Sequence, residues 1–341
     1  MPAHHTDILR LKSMAAIAKL FTTILCRSIL LTAALGSSAS FAQQVTDQAA
    51  ALYTPWGHPD LQGVWDRRTI TPLERPERFA DKAILSADEI IAYERASAAR
   101  DDGRPLDFAR SGISVHDPAD LDYGSTVLAT GQTSLVVDPP NGRIPALTDA
   151  ARARIAAQAQ AREGRGPADS WLDRSLTERC LTWGVPQGML PQAYNNNIQI
   201  VQTPNEVLIL NEMVHDVRIV PLDGRPHIPA AITQWHGDPK GHWEGDTLVV
   251  ESTNFSPQAE FQRSGANLQL VERFRRTGPQ TLAYEFTVQD ASTWVQPWTV
   301  AFPMTRTDQP VYEFACHEGN YGLKNILGAA RVLELESTQS Q

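Results

Sequence analysis

The chain has 341 residues, 42% of them hydrophobic, with 30 Lys and Arg against 39 Asp and Glu, a formal net charge of −9. That balance argues against nucleic acid or an anionic membrane surface as a partner, since both require a basic face. The length fits one large domain or two small ones.

In chain order, the first predicted element is an export leader over residues 1–42. Arg10, Lys12, Lys19 and Arg27 precede the apolar run "SILLTAALGSSASFA", and Ser40 and Ala42 occupy the positions that a signal peptidase reads. Cleavage after Ala42 removes four basic residues and one acidic residue, so the formal charge moves from −9 to −12. The run Ile29 to Leu35 is too short to span a bilayer, and no later stretch approaches the roughly 20 apolar residues that a spanning helix needs. The expected location is periplasmic or secreted, with no membrane insertion after cleavage. Cys26 leaves with the leader, so Cys180 and Cys316 remain in an oxidising compartment. They are expected to form a disulfide; two buried free thiols are the alternative.

Residues 43–193 read as an irregular wrapping segment with first strands and two helices. "PDLQGVWD" (59–66) places Gly63, Val64 and Trp65 in an opening strand, the Gly-x-Trp entry used by lipocalin-type barrels, in which the tryptophan plugs the closed end. "SADE" is a capping box ahead of "IIAYERASAAR", and Thr148 opens a second, alanine-rich helix that ends at Gly164. Between the two helices, "TSLVVDPPNGRIP" is a strand followed by a Pro/Gly turn.

Residues 194–335 read as a β-meander. "NIQIVQTPNEVLIL" gives two strands around a Pro-Asn turn, and "VHDVRIVPLDG" extends the second as far as an Asp-Gly turn. The segments 231–255, 268–290 and 298–318 each give two more strands joined by a short turn. About eight strands without intervening helical periodicity favour an antiparallel up-and-down β-barrel or a sandwich. Alternation puts Leu282, Tyr284, Phe286 and Val288 on one face, and likewise Trp298, Val300, Phe302 and Met304, with Tyr312, Phe314 and Cys316 on a last strand. This aromatic face is either a packed core or the lining of a cup for one small ligand. On the ligand reading, Tyr284, Trp298 and Tyr312 contact the bound molecule.

Polar residues on those faces are the candidate chemistry. A continuous strand over 206–220 places Asn211 and His215 on an otherwise apolar face, where each needs a hydrogen-bond partner or a ligand. His215 is then either a satisfied core imidazole or a general acid/base. In "ACHEGNYG" (315–322) a disulfide at Cys316 would fix the point where His317 and Glu318 emerge, and Gly319 and Gly322 permit a sharp turn. His215, His317 and Glu318 are the catalytic candidates. Asn195, in the "YNNN" run, joins Asn211 as a residue able to orient a ligand, although satisfying loop backbone is the commoner use of such amides.

Seven histidines follow the leader, several beside carboxylates, but no H-E-x-x-H or C-x-x-C spacing occurs, and strand alternation sends His215 and Asp216 apart. No metal and no cofactor is therefore expected. No G-x-S-x-G elbow, phosphate loop or dinucleotide fingerprint is present. Arg179, Arg218 and Arg225 either receive an anionic substrate or are solvated charges.

The segments "YNNNIQIVQTP", "HDVRIVPLDGRPH", "GHWEGDTLVVESTNF", "LVERFRR" and "YEFACHEGNYG", with "PDLQGVW", "LERP" and "VVDPPNGRIPALT", resemble a group of exported, largely uncharacterised proteins of Gram-negative bacteria and acidobacteria. The resemblance implies export and a mainly β, lipocalin-like barrel with an N-terminal covering segment; it carries no reaction. The expected function is binding of a small apolar or aromatic molecule, as a cofactor-independent acid/base enzyme (lyase, isomerase or hydrolase) or as a carrier or sensor without catalysis.

Overall fold

The computed structural model describes residues 52–101, 122 and 124–339; the leader lies outside the described residues. The chain divides into two units, Met1–His58 and Pro59–Gln341. The described part of the first is a turn in which the Thr54 hydroxyl donates to the His58 carbonyl (3.0 Å) and accepts from the His58 N–H (3.1 Å).

Among its described residues the second unit is mainly β, one ten-stranded antiparallel sheet with three α-helices. Its strands are β1 (Gly63–Asp66), β2 (Val136–Asp138), β3 (Asn197–Gln202), β4 (Glu206–Asn211), β5 (Val217–Pro221), β6 (Asp238–Glu244), β7 (Thr247–Thr253), β8 (Gln269–Gly278), β9 (Thr281–Gln289) and β10 (Trp298–Thr307). Their order is β5-β4-β3-β1-β10-β9-β8-β7-β6, and β2 pairs with β10 beside this path. The short strand carrying Trp65 thus lies between the first and last strands of the meander, with Trp65 opposite Ile198 on one side and Arg306 on the other.

This arrangement moves the open seam to mid-chain, between β5 and β6, where no ladder is formed. The two edges nevertheless touch through side chains. A Cβ at Gly241 in β6 would lie 2.7 Å from both Val220 Cγ1 and Leu222 Cδ2. Val220 is buried and β-branched, with little freedom to retreat. Gly241→Ala is therefore expected to lower stability by about 1–3 kcal/mol in chemical denaturation, an overpacking penalty. A change below about 0.5 kcal/mol, the size typical of a surface substitution, would show that the edges are not packed together.

Strand alternation is observed as expected in β8 to β10. Leu270, Phe274, Tyr284, Phe286, Trp298, Val300, Phe302 and Met304 are buried in a single hydrophobic core. Most of the ring pairs are tilted or edge-on, among them Phe274–Tyr284 at 4.8 Å and Trp294–Trp298 at 5.5 Å, a geometry that suits the ring quadrupoles. An ion pair also sits inside: Arg218 of β5 and Glu272 of β8, both buried, form a bidentate pair with N–O distances of 2.5 and 2.9 Å. The Tyr284 hydroxyl donates to Glu272 Oε1 at 2.8 Å.

The two early helices form as the sequence predicts. In α1 (Ala87–Asp101) the Ser86 N–H donates to Glu89 Oε2 at 2.8 Å and the Glu89 N–H donates to Ser86 Oγ at 3.4 Å, a reciprocal capping box. At the start of α2 (Asp149–Ala161) Thr148 Oγ1 accepts from the Ala151 N–H and donates to the Ser292 carbonyl, which ties the helix to the loop after β9.

Two strand expectations are corrected. First, 206–220 is not one strand. A 3-10 turn, Met213–His215, with Val214 and His215 at φ 58° and 49°, makes β4 and β5 a hairpin closed by Asn211 N–H donating to the Asp216 carbonyl. The reversal changes which residues face inward: Val217 and Ile219 are 49% and 52% exposed, while Arg218 is buried against Glu272. Second, 311–317 forms no strand. β10 ends at Thr307, a strap without a ladder follows, and α3 (Tyr321–Gln339) closes the described chain. Leu323, Ile326, Leu327 and Ala330 are its less exposed side, spaced as one helical face. Arg331 anchors it by donating to the Asp169 and Ala168 carbonyls.

Candidate functional site

The strap and α3 cover one wall of a cleft of about 660 Å³, within the usual range for small-molecule sites. Arg174, Thr177 and Glu178 line it, as do Tyr194 and Asn195. From the strap and helix come Glu313 to Cys316, Glu318 to Asn320, Leu323 and Ile326.

The cleft's shape depends on how the strap is fastened, because no ladder holds it. A Cys180–Cys316 disulfide spans 136 positions with Cα atoms 5.7 Å apart, and Cys316 itself lines the cleft. The buried Glu212 carboxylate accepts from the Tyr312 N–H (3.0 Å) and, through its other oxygen, from the Asn197 N–H (3.2 Å). His215 Nδ1 lies 2.9 Å from the Phe314 carbonyl; a carbonyl only accepts, so Nδ1 carries the proton. Asn320 Nδ2 reaches the Cys180 sulfur at 3.3 Å.

Charge in the cleft is partly neutralised. Glu178 is ion-paired with Arg174 and accepts from the Ser175 N–H and hydroxyl. Burial pushes its carboxyl up, but the Ser175 and Arg174 bonds together hold it below its ordinary value. The Tyr194 phenol is pushed up by burial. Asn195, at φ 53°, exposes its side to the cleft while its carbonyl accepts from Arg67 Nη2 at 3.4 Å. Arg67 is buried, and its Nη1 donates to Asn211 Oδ1 at 3.0 Å.

The predicted residues therefore separate. Asn195, Glu318 and Cys316 come together in the cleft; Asn211 does not line it but is linked to Asn195 through Arg67. His215 is corrected from a sheet face to an exposed turn, from which it fastens the strap. His317 is exposed, on the strap rather than on the expected last strand. Tyr312, expected on an inward face, is 62% exposed, because the strap has no pleat to direct it. Tyr284 and Trp298 are core residues, packed against Phe302 and Phe261 respectively.

Sequence reasoning missed Arg67, Glu212 and Glu272, and it met His236 only as one histidine among several. His236 Nε2 lies 2.8 Å from Thr182 Oγ1 and 3.3 Å from Asp216 Oδ1. The Thr182 hydroxyl donates to Asp216 Oδ2 and accepts from the Gly184 N–H. With its proton directed at a carboxylate, Thr182 is not set up as a nucleophile; the cluster braces the chain just after Cys180. Among the described residues, no group of three or more His, Cys, Asp or Glu side chains is placed to hold a metal ion, and no helix is long and apolar enough to cross a membrane. No known family, curated protein or solved structure matches the chain.

Proposed function

We propose that the protein binds a small, partly apolar molecule in the cleft beneath the strap. The observation that carries this reading is the cleft's construction: a disulfide fixes a lining in which apolar Phe314, Ala315, Leu323 and Ile326 are combined with polar Asn195 and Glu318. Binding is preferred to acid/base catalysis because the protonated nitrogen of His215 is engaged by the strap and His317 is not a lining residue. The leader-like N-terminus, the disulfide and the resemblance to exported proteins support a periplasmic or secreted carrier or sensor. The packing of Gly241 against Val220 and Leu222 supports a lipocalin-like barrel closed at the seam by side chains. Its aromatic interior is a core, so the ligand site lies outside that core, under the strap.

The test is fluorescence titration with N-phenylnaphthylamine, a neutral aromatic probe. Ala315→Trp, which fills the cleft from an exposed strap position, is expected to weaken binding at least about tenfold, or about 1.4 kcal/mol. His215→Gln is expected to stay within about threefold, below about 1 kcal/mol. Undiminished binding by Ala315→Trp would overturn the assignment of the site.

A further inference from the structure

The two arginines with the least exposure, Arg67 at 1% and Arg218 at 2%, are treated differently. Arg218 has a carboxylate of its own, Glu272. Arg67, equally buried, has none in contact: its two hydrogen bonds go to the neutral oxygens of Asn211 and Asn195, and its Nε has no partner. The nearby carboxylates are committed elsewhere, Asp66 to Arg68 at 2.7 Å and Glu212 to the N–H groups of Asn197 and Tyr312. Asn211 Nδ2, also buried, is a second donor without an acceptor. A guanidinium in low dielectric normally comes with an anion. Here the protein supplies donors and withholds the acceptor.

The position of this group connects it to the cleft. Asn195 lines the cleft, and its carbonyl is all that bonds Arg67 Nη2, at a long 3.4 Å. Asn195 also holds a left-handed conformation, φ 53°, which costs a non-glycine residue energy. Arg67 does not itself line the cleft; the Asn195 peptide, held to it by this one weak bond, is the link between them.

We infer that the ligand of the cleft is an aromatic or apolar carboxylate, anchored through its oxygens by Arg67 with Asn211 Nδ2, its apolar body against Phe314, Leu323 and Ile326. This rests on the binding reading above and specifies its ligand class. The unpaired carboxylates at the cleft, Glu313 and Glu318, oppose an anion. Both are exposed and screened by water and salt, whereas the guanidinium acts from a buried position where the same charge counts for more. Burial lowers the Arg67 pKa only to about 10, so the group stays cationic at neutral pH.

Isothermal titration of the mature protein with benzoate and with its neutral near-isostere benzamide tests this. Benzoate is expected to bind with one-to-one stoichiometry, at least about tenfold tighter than benzamide. Asn211→Asp, which gives Arg67 an internal carboxylate, is expected to raise the melting temperature without ligand and to abolish the benzoate preference. If that variant does not fold by circular dichroism, Arg67→Lys serves instead: it keeps the charge, loses the planar fork, and is expected to reduce the preference at least about tenfold. Equal affinities in the unaltered protein, or a preference unchanged in the variant, would overturn the inference. N-phenylnaphthylamine binding in the cleft with neither benzoate nor benzamide bound would overturn it alone; failure of all three ligands to bind would overturn the binding reading as well.

Discussion

Glu272→Gln is expected to lower the unfolding free energy by about 3–5 kcal/mol, the cost of leaving one partner of a buried ion pair alone. The site leaves little room for rescue. Arg218 and Glu272 are both buried, the pair is bidentate, and the Tyr284 hydroxyl already donates to Glu272 Oε1. Burial, with the neighbouring Glu272 charge, pushes the Tyr284 phenol well above its ordinary value, so it remains a donor and cannot neutralise Arg218 by ionising. The amide introduced by Glu272→Gln would offer one acceptor where the guanidinium now meets two anionic oxygens. Replacing both partners by apolar groups, Arg218→Met with Glu272→Leu, is expected to recover most of the loss, since neither desolvated charge remains. Urea denaturation followed by tryptophan fluorescence reads both. A loss below about 1 kcal/mol for Glu272→Gln, the range of an exposed pair, would show that the pair is solvated.

The second large effect is expected at the disulfide. With 136 positions between Cys180 and Cys316, the chain-entropy relation gives about 5 kcal/mol of stabilisation, and measured losses on removing native bridges run about 2–5 kcal/mol. The double variant Cys180→Ser/Cys316→Ser is expected to lose about 3–5 kcal/mol on that basis. The loss should begin locally. Without the bridge, the strap keeps its hydrogen bonds to Glu212 and His215 and α3 keeps its Arg331 anchors, but no sheet ladder. Hydrogen exchange should therefore quicken first at 308–320 while β8 to β10 stay protected. Equal protection of strap and sheet in the variant, with a stability change below about 1 kcal/mol, would contradict this role for the bridge.

Much of this architecture was legible in the sequence because the signals were local. Ser86 and Glu89, Thr148, and the alternation in "LAYEFTV" and "WTVAFPM" each act over a few residues, and each element formed there. The disulfide was legible from cysteine arithmetic together with the expected oxidising compartment. The errors came from reading period without direction. A strand pattern continues across a tight turn without warning, so Met213–His215 reversed the chain and exchanged the inward set from Val217 and Ile219 to Arg218 and Val220. That one slip hid the interior pair, because Glu272 shares an inward face with Leu270 and Phe274 while its partner reads as outward-facing. The aromatic "VYEFACH" favoured a strand, but β1 already occupies the free side of β10 along Val64 to Asp66. The spacing of Leu323, Ile326, Leu327 and Ala330 carries a helical face that the strand reading of the preceding segment obscured. Arg67 left no local signal: its meaning comes from Asn195 and Asn211, more than a hundred residues away.

The binding reading is tested most directly by mapping amide chemical shifts of the isotope-labelled mature protein during titration with N-phenylnaphthylamine. The expected result is saturable movement confined to Thr177, Asn195, Ala315, Leu323 and their neighbours around the cleft. Movement centred instead on the groove across the outer sheet face, at Thr130, Gln132, Ala283 and Ala301, or no saturable movement at all, would contradict it.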